Sequence, residues 1–273
     1  MDLEQTFFSG RTLSLSVLTS VFASCILRMG AETDARTMLL WGLPMALALT
    51  VISALLAAAE ENSQIFEGKG AASKVCCVLL AFWLVWELGE TLLQMQAICW
   101  TEFSSMAVIG LLPLLLWVGW KLEPTVLGRS ASILWWMAVL AILLCILGLR
   151  GQPHWENLME SGETGTLTVP IYAEYFALPF FCPVSEIRRR VWFPVGAFAL
   201  TAAFALGMGA IFGAAYSVPG TELLRAGTLG EISRLDAAVL LLWLVLALFR
   251  VCFLVQAVRK LWQRIRPPME ETA

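Results

Sequence analysis

The chain has 273 residues, 59% of them hydrophobic and 14% charged, with a formal net charge of −3 at neutral pH. Soluble domains carry about 25% charged and about 45–50% apolar residues, so an ordinary soluble globule is excluded. The small negative charge gives no electrostatic basis for a nucleic-acid partner. The apolar residues fall in blocks of roughly 17–25, the length a helix needs to cross a hydrocarbon layer of about 30 Å. Lipid offers the backbone no hydrogen bonds, so blocks of this kind read as helices. A β-barrel would alternate in polarity over about ten residues, and runs 75–86 and 133–149 do not alternate. The expected fold is therefore an all-α, polytopic transmembrane bundle.

Eight spans are expected in a single integral membrane domain, at about 12–29, 38–59, 73–100, 104–121, 131–149, 170–187, 191–216 and 236–258. An acidic N-terminus without a small-residue cleavage site makes 12–29 a first span rather than a signal peptide. That span carries Ser14, Ser16, Thr19, Ser20 and Ser24, and is the most polar of the eight. Glu87, Glu90 and Gln94 in span three are three and four residues apart, which places them on one helical face. That stripe either lines a solute path or seals a polar contact with another helix. Arg129 precedes span five, and the loop after it holds His154, the single histidine, beside Trp155. One histidine rules out any scheme that needs two. Seven cysteines without a CxxC pair give no metal or disulfide framework. No cofactor is expected.

Span six is interrupted by Pro179 and Pro183, and Glu174 sits between Pro170 and Pro179. A carboxylate beside a broken helix is how many transporters build a solute site. The alternative is a proline kink with Glu174 near the outer surface. Span seven is rich in glycine, with Gly209 and Gly213 spaced for close helix packing. Span eight opens on Arg234-Leu-Asp236, where Asp236 is placed to cap the helix N-terminus. Arg250 lies about fourteen residues further on, deep in the span, where it either snorkels or pairs with a carboxylate. Each ionisable residue at mid-bilayer costs about 2.5–3.5 kcal/mol on insertion scales, so these positions face the bundle interior.

With a cytoplasmic N-terminus, twelve Lys and Arg residues fall on inside segments and five on outside ones, Arg250 excepted. Both termini are therefore expected in the cytoplasm, and 259–273 forms a tail that is basic and then acidic.

Several of these residues resemble a known family in their order. The stretch Gly230-Glu-Ile-Ser-Arg-Leu-Asp236 followed by Trp243 looks like the signature opening the eighth helix of GerAB-type spore germination permeases. Arg129, the loop His154-Trp-Glu-Asn-Leu158, the pair Ala173-Glu174, Pro183 and the run Arg188–Arg190 fall in matching order. The resemblance covers about residues 4–260. It implies the amino acid/polyamine/organocation permease fold: two inverted five-helix repeats, with helices one and six unwound around the substrate. Counted against those ten helices, this chain shows an incomplete second repeat without the last two. Ala173 replaces the family's helix-six glycine, and Ser233 replaces the glutamate of the helix-eight signature. Alanine disfavours the positive φ that glycine allows.

The resemblance implies a germinant sensor or transporter in the spore inner membrane that works with A-type and C-type receptor subunits. The solute, a small molecule and by this reading an amino acid, would meet Ala173, Glu174, Glu87, Glu90, Gln94 and Ser24. Arg129, Pro183, Arg234, Asp236 and Trp243 would carry the family motifs. A structural subunit that binds no solute is the second expectation. No Gly-x-Ser-x-Gly element, HExxH pattern or phosphate loop is present, so no enzyme is expected.

Overall fold

In hydrocarbon each segment has to satisfy its own backbone, and the described residues do so as helix, without a strand among them. The structure is a computed structural model that describes residues 10–28, 38–63, 70–148, 154–158, 172–177, 192–212 and 235–265. Its helices are α1 (Gly10–Arg28), α2 (Leu43–Ser63, entered through a wider-wound turn at Met38–Gly42), α3 (Ala71–Phe103) and α4 (Ala107–Lys121). They continue with α5 (Pro124–Gly148), α6 (Ala173–Ala177), α7 (Phe193–Phe212) and α8 (Leu235–Ile265), with a short 3-10 turn at Trp155–Leu158. The chain is an all-α helical membrane bundle.

Among the described residues, four apolar helical stretches are long enough to cross a membrane: Ala71–Phe103, Pro124–Leu143, Pro194–Ile211 and Leu240–Gln263. The apolar stretches Thr12–Ser24, Leu40–Leu55 and Ala107–Lys121 are shorter. Serines stud α1, and Glu60-Glu61 close α2. Helix α4 is limited by its turns: its 15 residues reach about 22 Å. Helices α3 and α8, at 33 and 31 residues, reach about 50 and 46 Å and exceed the hydrocarbon thickness.

Helices α1 and α8 form the centre. Leu13, Val17, Val21, Phe22 and Ile26 of α1 are buried together with Trp243, Leu246, Phe249, Phe253, Leu254 and Leu261 of α8. Around them stand α3, α4, α5 and α7, while α2 packs on α7 at the periphery. The outer faces carry large apolar side chains, among them Phe82, Trp86 and Leu93 of α3, Trp117 of α4, and Trp136 and Leu140 of α5. Lipid is the medium that such faces suit.

Side-chain contacts fix the helix directions. Thr19 bonds the Ala131 carbonyl and Phe22 meets Trp135, so α1 and α5 run the same way. Gly119 lies against Val255, and Arg259 bonds the Trp120 carbonyl, so α4 and α8 are parallel to each other. Helices α3 and α4 form a tight hairpin. Ser104, at φ 49°, closes α3 in the left-handed conformation; its N–H donates to the Trp100 carbonyl and the Ser105 N–H to the Cys99 carbonyl. Gln96 clips the same turn: its Nε2 donates to the Ser105 carbonyl and its Oε1 accepts from the Ile109 N–H. Phe22 meets Trp243 of α8, while Ser20, earlier on α1, reaches Arg250, later on α8, through Glu174, so α1 opposes α8; α1, α3 and α5 therefore run up, and α4 and α8 run down. At the lower end lie Lys74, Lys121, Arg129 and Arg259. Glu102 and Glu156 lie at the upper end.

Candidate functional site

Two long helices meet at their midpoints. Glu87 is the middle residue of α3 and Arg250 the middle residue of α8. Both lie at the depth where a charge is most expensive, and both are turned inward: Arg250 is 0% exposed and Glu87 3%. The guanidinium answers two carboxylates. Arg250 Nη2 donates to Glu87 Oε2 at 2.7 Å, and its Nε donates to Glu174 Oε1 at 2.9 Å. Glu174 comes from the short helix α6 and is fully buried. Ser20 Oγ of α1 donates to the same Glu174 oxygen at 2.9 Å. One guanidinium thus ties α8, α3, α6 and, through a serine, α1 into one polar centre.

Glu174 is therefore in the protein interior, and not near the outer surface as a proline kink alone would leave it. Of the two roles open to Arg250, pairing is observed. Several polar atoms at and near the centre are buried without a hydrogen-bond partner among the described residues: Arg250 Nη1, Glu174 Oε2, Ser24 Oγ and Gln94 Oε1. An unsatisfied buried polar atom costs about 1–3 kcal/mol, so a cluster of them needs a ligand, water or another group to complete it.

The other expected site residues divide by position. Thr91, between Glu87 and Gln94 on the same face, is buried and donates to the Glu87 carbonyl. Glu90 and Gln94 are only half-buried. Ala173 opens α6 one residue before Glu174, and nothing is described of its side chain. Trp243 is buried, with its ring 5.2 Å from that of Phe22. Arg129 is exposed, and α5 starts at Pro124, so Arg129 stands inside the helix rather than ahead of it. Asp236 lies in the first turn of α8, where a capping carboxylate would be placed, but its side chain is outside the described ones. Pro183 and Arg234 lie outside the described residues. His154 is exposed and its N–H donates to the Ala210 carbonyl. Among the described residues no three His, Cys, Asp or Glu side chains gather to hold a metal ion.

Sequence reasoning missed Ser20 and Gln256. Ser20 stands one turn before Ser24, and that spacing was the available signal. Gln256 Nε2 donates to the carbonyls of Gly119, Trp120 and Leu122 at 2.7, 3.3 and 2.6 Å. It staples the lower end of α4, whose last carbonyls lack helical partners, to α8. Arg259 adds a bond to Trp120 O at 2.7 Å and lies over the Trp120 ring. Nothing local announces this, because a glutamine in an apolar helix has no fixed partner.

No protein-family model matches the chain, and comparison with curated proteins and with solved structures finds no match.

Proposed function

We propose that the chain is a permease-like membrane protein that binds a small zwitterion, an amino acid, at the Arg250 centre. The carrying observation is that one buried ion pair presents a donor, Arg250 Nη1, and an acceptor, Glu174 Oε2, that have no hydrogen-bond partner among the described residues. A solute carboxylate would meet the first and a solute ammonium the second. Charge-assisted hydrogen bonds of this kind are roughly twice as strong as neutral ones. The likeness to GerAB-type germination permeases supports the same solute class and adds the biological setting. In that setting the chain senses or moves a germinant in the spore inner membrane, beside A-type and C-type subunits. The basic residues at the lower end support an orientation with that end in the cytoplasm.

A second reading is a structural subunit that holds no solute. Its support is the closure of the centre on itself: Glu174 already accepts from Arg250 and Ser20, and buried ion pairs can serve to fix how helices register.

The melting temperature of the purified protein in detergent, measured against L-amino acids, nucleosides and sugars, separates the two. Binding at 100 times Kd stabilises by about 2.7 kcal/mol. A saturable rise with amino acids, lost in Glu174→Gln, is the expected result. A well-folded protein whose melting temperature ignores every solute would leave the structural subunit as the better account.

A further inference from the structure

Helix arithmetic shows that the Arg250 centre has different surroundings above and below. Ser24 is one turn above Ser20 on α1, and Gln94 is two turns above Glu87 on α3. Trp243 is two turns from Arg250 on α8, which runs downward, so it too lies above. The spacings of four, seven and seven residues keep each on the face of its centre residue, displaced by about 6–10 Å. All three bear a polar atom that is buried and unpartnered among the described residues: Ser24 Oγ, Gln94 Oε1 and Trp243 Nε1. They comprise a hydroxyl, an acceptor and a donor.

The same steps taken downward meet hydrocarbon, with one exception on α1. On α1 they reach Val17 and Leu13, on α3 Leu84 and Leu80, and on α8 Phe253, Leu254 and Ala257, all buried. Ser16, the one hydroxyl at such a step, donates to the Thr12 carbonyl of its own helix. Orphaned polar atoms in a membrane interior are tolerated where they line a watery space, and buried polar sites of this kind hold water. Below the centre one such atom is described, Gln256 Oε1, on a side chain whose Nε2 already holds three carbonyls at the α4 end.

We propose that Ser24, Gln94 and Trp243 line a hydrated antechamber through which a polar solute reaches the Arg250 centre from the upper end only. The proposal rests on the reading of that centre as a solute site. It adds the side of entry and three residues that meet the solute on the way. The apolar layer of Leu13, Val17, Leu84, Phe253 and Leu254 is the seal on the opposite side.

Thiol accessibility tests this directly. In a background with the seven native cysteines replaced, Ser24→Cys and Gln94→Cys are compared with Val17→Cys and Leu84→Cys. The probe is a charged, membrane-impermeant methanethiosulfonate reagent, applied to protein in detergent. Both ends of the bundle then meet solvent, so a difference in rate reports the path and not the orientation. Variants are compared only where they elute and melt as the parent does, and two positions on each side allow for one that misfolds. Labelling at least tenfold faster at the upper positions is expected. Similar rates above and below, faster labelling below, or no labelling above would each overturn the proposal. Labelling needs no solute, so the antechamber can stand where the amino-acid panel fails, and the reverse outcome is equally readable.

Discussion

Helices α8 and α2 are both apolar, yet they occupy opposite situations. Helix α8 is buried along most of its length, with Trp243, Leu246, Phe249, Val251, Phe253, Leu254 and Leu261 all inside. Helix α2 shows Leu43, Leu47, Val51, Ile52 and Leu55 on the outside, and touches the bundle through Ala46 and Leu49. In water this contrast would be inexplicable, since exposed leucines are unfavourable there. In lipid the apolar residue gains nothing by moving inward, and polar residues decide which helix becomes central. Helix α8 carries Arg250 and Gln256, and each finds partners on other helices. The polar residues within the apolar part of α2 are the small Thr50 and Ser53, and the Thr50 hydroxyl is satisfied by the Ala46 carbonyl of its own helix.

The largest effect should come from removing the charge that makes α8 central. Arg250→Met leaves Glu87 and Glu174 buried without their cation, and losing one partner of a buried pair costs about 3–5 kcal/mol. Loss of a cooperative melt, or a fall in midpoint of that size in detergent, is expected. Adding Glu87→Gln and Glu174→Gln to Arg250→Met should restore most of the stability, because neutral amides carry no unpaired charge. If Arg250→Met alone melted like the parent, the ion centre would not be what places α8.

A smaller loss should follow from packing alone. Leu254→Ala opens a hole beneath the centre, where Leu254 is fully buried. Lipid is as apolar as leucine, so the cost is lost contact rather than transfer from water. We expect about 2 kcal/mol, the low end of the range for buried leucine truncations. Gln256→Leu should cost less, about 1 kcal/mol. It removes bonds to the Gly119 and Leu122 carbonyls, but Arg259 still caps Trp120 O. Its effect should appear as faster proteolysis or hydrogen exchange at the α4 end, with the midpoint little changed.

Helix existence was legible in the sequence wherever apolar length was decisive, and each expected span contains a described helix. The ends were less legible. Helix α5 begins at Pro124 rather than near 131, because an amphipathic first turn with Arg129 outward is as good a helix as an apolar one. At the centre, Glu87, Glu174 and Arg250 could be marked singly as residues that lipid would not accept. Their meeting could not be read, since it joins positions 76 and 163 residues apart. Of the stripe Glu87, Glu90 and Gln94, only Glu87 enters the ion pair. Glu90 is turned about 60° from Glu87 and Gln94 stands two turns above it on nearly the same line, and both are half-buried.

The least effect should come from Leu47→Ala on α2, and it is the prediction that isolates the medium. Leu47 is exposed at 51%. In a soluble protein its truncation would be neutral because water already reaches it. Here lipid chains close over the shortened side chain, and the expected change is within about 0.5 kcal/mol. A change of medium separates a lipid-facing leucine from one covered by another surface. In short-chain detergent and in lipid nanodiscs the Leu47→Ala difference should stay near zero, whereas the Leu254→Ala deficit should persist in both. A large Leu47→Ala deficit in nanodiscs alone would mean that another protein surface or a bound lipid packs on α2. The helix would then be peripheral only in the isolated chain.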